Sequence, residues 1–275
     1  LCPKEHRADI CTRVLKVVDR YSVDDRWRVD TLITTLSIAG REASDDVQSA
    51  AVVYISRASP DIHAFGVHKL LKAIRDDDGS QTGLLAVGIW CIGEYGDLLL
   101  QPYSYQGSDN VPVTLMALDP MSVVEAVENV AKRHSCPESV RQRALTAYVK
   151  LSNRFASIGD PAVMNKLEKL VEQDRGSRSL ELQLRSCEYS ALMNASKGLA
   201  VAAKPAANDD LFGVSNGDTA HVSDGVVKAA KEALSRMPVV DIKILQKRLS
   251  RDDFSEGPAV PRQPRAARAP AAGGD

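Results

Sequence analysis

The chain has almost no net charge: 35 lysines and arginines face 36 aspartates and glutamates in 275 residues. Without an excess of either sign, no field over the whole molecule draws it to nucleic acid, and any anion site has to be a local patch. Paired cysteine motifs are missing too. Cys2, Cys11, Cys91, Cys136 and Cys187 are scattered with no CxxC spacing, and several sit inside apolar helical patterns, which fits reduced cytosolic thiols better than disulfides or a zinc site. No apolar run reaches the roughly eighteen residues that cross a bilayer, and the N-terminus lacks the basic start and apolar stretch of a secretion signal. A soluble protein is expected.

Catalytic and ligand-binding signatures are also sparse. His6, His63, His68, His134 and His221 form no HExxH pair, and the interval from His63 to His68 does not align two ligands on one helix face. No phosphate loop of the GxxxxGK type and no GxGxxG is present, so NTPase and dehydrogenase readings lack support. Nowhere does a period-two strand pattern persist, which excludes sandwiches and parallel-sheet nucleotide folds. Neither a metal nor a cofactor is expected, and no catalytic residue.

What is present is helix after helix. The chain is organised around residues 84–100, LLAVGIWCIGEYGDLLL, where ten uncharged residues from Leu84 to Gly93 precede Glu94. Such a run predicts a central helix of about five turns, buried on nearly all sides. Gly88 and Gly93 offer bare backbone for close approach of neighbouring helices. Glu94 is the anomaly, since a buried carboxylate needs a donor or a cation; the expectation is a helix-end carboxylate bonded to a neighbouring helix terminus, with a catalytic acid as the rival.

Before this segment, residues 5–20 place Ile10, Val14, Val17 and Val18 at helical spacing, and residues 24–40 carry Trp27, Leu32, Ile33, Leu36 and Ile38 up to Gly40. Helices are predicted over 45–58 and from Pro60 through Ile74. Asp76, Asp77 and Asp78 then break the pattern as a solvated turn, lacking the spaced ligands of a calcium loop. Residues 101–118 read as a surface loop without regular structure. Helices resume over 120–134 and 137–155, the second a clear amphipath with Val140, Ala144, Ala147, Tyr148, Leu151 and Phe155 on one face and charge on the other. Two more are expected over 161–173 and 179–202, and a short one over 224–236.

These segments predict an all-α fold, an α-solenoid of HEAT- or armadillo-like helix pairs repeating at about forty residues. Residues 1–203 form the solenoid segment, 204–223 a low-complexity insertion, 224–250 the terminal helices and 251–275 a disordered linker rich in proline and arginine. Because the chain starts at Leu1 without methionine and ends in a linker-like tail, it is expected to be a fragment of a longer polypeptide. Arg143, Lys150 and Arg154 fall on neighbouring turns and could offer a basic strip to an anion or an acidic partner; the alternative is a solvated polar face. Asp209–Phe212 and Asp252–Phe254 read as short acidic-aromatic strings that could dock on a partner domain.

The string Trp90-Cys91-Ile92-Gly93-Glu94-Tyr95-Gly96-Asp97-Leu98-Leu99 resembles the WCIGEYGDLL string of the gamma-adaptin family. Collinear with it are Arg26-Trp27, Asp30-Thr31, Ala39-Gly40, His63-Ala64, Leu145-Thr146-Ala147, Lys150-Leu151-Ser152, Arg154-Phe155, Glu188-Tyr189, Ala191-Leu192 and Met237-Pro238-Val239. The related alpha-type adaptins look similar but carry a different string in place of WCIGEYG. The block at 204–223 departs from the pattern, and the appendage domain is missing, so the chain resembles the C-terminal part of the trunk plus the first hinge residues.

The resemblance implies a right-handed solenoid and a structural subunit of a clathrin adaptor complex, without chemistry of its own. Such a subunit would act in vesicle-mediated protein transport between the trans-Golgi network and endosomes, cytoplasmic and peripheral on those membranes and on clathrin-coated vesicles. Partners implied are the beta-type large, medium and small adaptor chains, with clathrin, Arf GTPase and phosphoinositide membrane met through parts outside this chain. Nucleic acid is not among them. The rival scaffold is another HEAT-repeat protein of the transport-receptor or phosphatase-scaffold type.

Overall fold

In a computed structural model, residues 3–107, 111–198 and 223–236 are described. They hold ten α-helices: α1 (Lys4–Tyr21), α2 (Asp25–Ala39), α3 (Asp45–Arg57), α4 (Pro60–Asp76), α5 (Thr82–Tyr95), α6 (Pro120–Ala131), α7 (Glu138–Phe155), α8 (Pro161–Glu172), α9 (Leu180–Ser196) and α10 (Asp224–Ala233). All lie in a unit spanning Leu1–Val240, while a second unit, Asp241–Asp275, is outside the described residues. All of the expected insertion at 204–223 except Ser223, the residues 237–275 and both acidic-aromatic strings also fall outside them.

Helix starts follow from local chemistry. Ser44, Asp119, Asp160 and Ser179 each accept a backbone N–H from the first turn of the helix that follows, and Pro60, Pro120 and Pro161 occupy first-turn positions where no N–H partner is required. Packing then follows the order of the chain. Neighbouring helices touch (α1 with α2, α4 with α5, α7 with α8), and so do next neighbours, α2 with α4, α3 with α5, α5 with α7 and α7 with α9. Contacts that reach only a few places along the chain define a helical-repeat stack, in which each pair hides its apolar stripe against the next. The all-α solenoid reading holds.

Residues 84–100 are one α-helix and then a tighter coil. After Tyr95, whose φ of −130° breaks the α geometry, Gly96–Leu100 wind as a 3-10 turn. By length and composition Thr82–Leu100 does reach the range of a membrane span, with 19 residues of mean hydropathy 1.4, which corrects the reading from uninterrupted apolar runs. Its surface is spent inside the protein: Leu84, Leu85, Val87, Ile89 and Ile92 are fully buried among α3, α4 and α7, each contributing about 1.5–3 kcal/mol on leaving water. It is the core helix of the stack.

Several local expectations need correction. Residues 101–118 are not irregular, because β1 (Tyr103–Gln106) and β2 (Pro112–Leu115) pair antiparallel with Tyr105 opposite Val113. Alternate side chains Tyr103, Tyr105, Val113 and Leu115 turn inward, and that face is closed by α2 and α4: Tyr105 meets Phe65 edge to face at 5.3 Å, and Arg26 places its guanidinium 4.2 Å from the Tyr105 ring. In α1 the buried stripe is Cys11, Leu15 and Val18, while Ile10 and Val17 are exposed. In α2, Trp27 and Ile38 face outward, Ile38 at 68% exposure, and Val29 and Ala39 take their place in the core. Asp77 is not solvated: its carboxylate accepts the Gly79 N–H at 2.7 Å and lies 3.6 Å from Arg133.

Candidate functional site

The charged groups deepest in the structure meet where α5 runs into its 3-10 turn. Glu94 is 1% exposed. Close approach of α5 to α7 puts it there: a Cβ on Gly93 would come within 3.0 Å of the Ala147 Cα, so the two helices touch backbone to side chain at this point. Facing it from α7 are Lys150 and Arg154, one turn apart. Lys150 Nζ donates to Glu94 Oε1, Arg154 Nη2 donates to Glu94 Oε2 at 3.1 Å, and Arg154 Nε donates to the Gly93 carbonyl at 2.9 Å. The carboxylate is met on both oxygens.

A third cation closes the cluster from the far end of the described chain. Arg236 donates through Nε to the Glu94 carbonyl at 3.3 Å and through Nη2 to Asp97 Oδ2 at 2.7 Å, with its guanidinium carbon 5.4 Å from the Tyr95 ring. Tyr95 in turn stacks on His63 at 4.2 Å and meets Trp90 edge to face at 6.2 Å. Residues 90–97 therefore tie α4, α7 and the segment after α10 to one place.

Burial sets the electrostatics. Loss of water and the nearby Arg154 cation lower the Lys150 ammonium to about 8, and burial lowers Arg154 as well. Burial, with Cys91 beside it, pushes the Tyr95 phenol up to about 12. Cys91 is pushed up by burial alone, which leaves it an inert thiol. The cluster holds charge in place through ion pairs and fixed hydrogen bonds.

The expected partner of Glu94 was a helix terminus; its partners are instead side chains in the C-terminal third of α7. Of the three cations singled out in the sequence, the structure brings Lys150 and Arg154 together on Glu94. Arg143 stands apart, half-buried, its guanidinium lowered by burial and supported by Asp45 of α3. Sequence reading missed Arg236 and Asp97 altogether. A signal for Lys150 existed: it follows Ala147 by three residues and precedes Leu151 in a turn with no other charge. Elsewhere, Glu128 of α6 pairs with Lys132 at 2.5 Å and Lys166 of α8 at 2.8 Å, tying those helices in the same way. Among the described residues no group of three His, Cys, Asp or Glu is placed to hold a metal ion. The sequence also carries a GxSxG spacing at Gly213, Ser215 and Gly217, outside the described residues and preceded by a polar stretch of sequence rather than an apolar one.

Comparison with known proteins places this architecture. The family model for the adaptin N terminal region matches residues 1–197. Over 196 residues the chain is 31% identical to AP-1 complex subunit gamma-1 of Arabidopsis thaliana, covering 71% of this chain and 21% of that protein. It is 31% identical over 193 residues to AP-1 complex subunit gamma of Dictyostelium discoideum, covering 70% and 21%. With AP-1 complex subunit gamma-like 2 of Homo sapiens the identity is 34% over 191 residues, covering 70% and 23%. The chain thus spans about a fifth of the length of the curated relatives it matches.

Proposed function

Since the chain belongs to the adaptin N-terminal-region family, which it matches over residues 1–197, we propose that it is a structural subunit segment of a clathrin-associated adaptor complex. It works in vesicle-mediated protein transport between the trans-Golgi network and endosomes, as part of a cytoplasmic coat peripheral to those membranes. The observation that carries this reading is the match to the adaptin N terminal region over residues 1–197, which spans α1 to α9, together with 31–34% identity to AP-1 gamma subunits over about 70% of the chain. Beta-type large, medium and small adaptor chains are its direct partners; clathrin, Arf GTPase and phosphoinositide are met by other parts of the assembly.

The mechanism is geometric. A stack whose contacts run mainly between near neighbours presents a long surface to partner chains, and ion pairs between its layers set how far it flexes. Glu94 supports a scaffold reading over a catalytic one, because both carboxylate oxygens are engaged by cations and shielded from substrate. Arg143, Lys150 and Arg154 remain the candidate contacts for an anion or partner, with Arg143 foremost since its guanidinium is not on Glu94.

Co-expression with medium and small adaptor subunits tests the reading. The expected result is a complex that survives size-exclusion chromatography. A chain that is folded by circular dichroism yet elutes alone in every combination would overturn it in favour of another helical-repeat scaffold.

A further inference from the structure

One cavity in the stack is lined by two side chains whose buried donors have nothing to donate to. It lies where α6, α7 and the 3-10 turn Gln173–Gly176 meet, and its volume is about 220 Å³. Tyr148 lines it, 1% exposed, with its hydroxyl buried and without a hydrogen-bond partner among the described residues. Arg141 lines it too. Its guanidinium lies beside the Cys136 thiol, yet its Nε is buried and likewise without a partner. Buried polar groups are nearly always paired, so two orphans on one cavity point to a ligand.

The rest of the lining sets the chemistry of that ligand. Arg141 Nε can only donate. Burial, with the Glu128 and Asp174 carboxylates nearby, pushes the Tyr148 phenol up, so its proton stays on and it donates as well. Both need an acceptor, and a single carbonyl oxygen has a lone pair for each. Asp174, half-buried, stands on the same cavity; burial raises its carboxyl pKa against the opposing pull of Arg141. A carboxylate there repels an anion and accepts from an N–H. Ala144 and Leu145, each 1% exposed, add an apolar wall on which a short methylene stem can rest. Lys132, the cation at the exposed side, is held 2.5 Å from Glu128 and so brings no unpaired charge.

We propose that this cavity binds a carboxamide on a short methylene stem, the side chain of glutamine or asparagine. Its oxygen accepts from the Tyr148 hydroxyl and Arg141 Nε, its NH2 donates to Asp174, and its stem rests on Ala144 and Leu145. Glutamate and aspartate are rejected, because their second oxygen would face the Asp174 carboxylate. The recognised group is the same on a free amino acid and on a protein segment. The site goes beyond the scaffold role and stands whichever adaptor chains assemble.

The test titrates the isotope-labelled 275-residue chain with three probes: the N-acetyl, N-methylamide forms of glutamine and of glutamate, and free L-glutamine. NMR follows the Arg141 Nε–H and the backbone amides of 141–148 and 173–174. The expected result is saturable binding of the capped glutamine, with the capped glutamate at least about tenfold weaker. Tyr148→Phe weakens the capped glutamine about tenfold yet leaves the Tm of the free chain unchanged or higher, since the hydroxyl it removes has no partner to lose. Asp174→Asn brings the capped glutamate within about threefold of the capped glutamine, a change of selectivity that a purely structural aspartate would not produce. Tighter binding of the capped glutamine than of the free amino acid assigns the site to a protein segment, and the reverse assigns it to the free amino acid; either supports the proposal. No saturable shift with any probe, as solvent alone in the cavity predicts, would overturn it. So would equal affinity for the two capped probes in the wild type, or a folded Tyr148→Phe chain that binds as tightly as the wild type.

Discussion

Gly93 and Ala147 meet with nothing between them: a side chain beginning at Gly93 would start 3.0 Å from the Ala147 Cα and 3.1 Å from its Cβ. Backbone cannot swing aside as the end of a long side chain can, so Gly93→Ala forces α5 and α7 apart. Overpacking of this kind costs about 1–3 kcal/mol, offset in part by up to about 1 kcal/mol of helix propensity. The expected outcome is a net loss near 1–2 kcal/mol and a fall in Tm of about 2–6 °C, read by calorimetry.

Gly225 is the counterpart. Nothing lies within 4 Å of where its Cβ would be, and it sits in the first turn of α10. Gly225→Ala should therefore stabilise that helix by up to about 1 kcal/mol, seen as slower amide exchange confined to α10. Faster exchange there would show that the glycine serves a contact not visible at this position.

A pH dependence follows from His68 in α4. Burial lowers its pKa below the usual 6.5, its Nε2 is buried without a partner, and its ring lies 6.3 Å from that of Tyr103. Once the pH drops below about 6.5, the unfolded chain takes up this proton before the folded one does. The contribution of His68 to stability then falls with decreasing pH and no longer changes above pH 7. His63, lowered by burial in the same way, shares the effect. Urea midpoints between pH 5 and 7 should slope upward with pH in the wild type and more shallowly in His68→Gln; an unchanged slope contradicts the assignment.

Arg26 fastens the hairpin. Its guanidinium lies 5.0 Å from the Phe65 ring and 4.2 Å from the Tyr105 ring, and Nη2 donates to the Gln106 carbonyl at 2.6 Å. Arg26→Lys keeps the charge but loses the planar fork and its stacking, so it should cost about 1 kcal/mol, close to the cost of Arg26→Ala. Amide exchange over Tyr103–Leu115 measures it, with faster exchange expected in both variants and none in α6.

Much of this architecture was legible in the sequence because helix ends are chemically marked. Ser44, Pro60, Pro120 and Pro161 stand where helices begin, and Val123, Val124, Val127 and Val130 are all buried as their spacing requires. The hairpin escaped notice because each strand has four residues and lies beside prolines and a glycine, which read as a loop before any period-two signal can build. Residues 56 and 60 positions away supply the cations for Glu94, and on an amphipathic helix a lysine and an arginine four apart look like a solvated face. Only the path of α5 against α7 turns that face inward. Arg236 had no local signature at all, since its role depends on where α10 returns. The exposed Ile10 and Ile38 likewise follow from how α1 rotates against α2, which periodicity alone leaves open.

The claim on which the rest stands is that Glu94 is a structural tie between α5, α7 and the end of the described chain. Thermal unfolding of Glu94→Gln measures it most directly. Stripping the carboxylate leaves Lys150 and Arg154 buried beside a neutral amide, a situation that costs about 3–5 kcal/mol, so Tm should fall by about 10 °C or more. Replacing all three residues, as Glu94→Leu with Lys150→Met and Arg154→Met, should restore most of the loss. A Glu94→Gln chain that melts with the wild type would contradict the account.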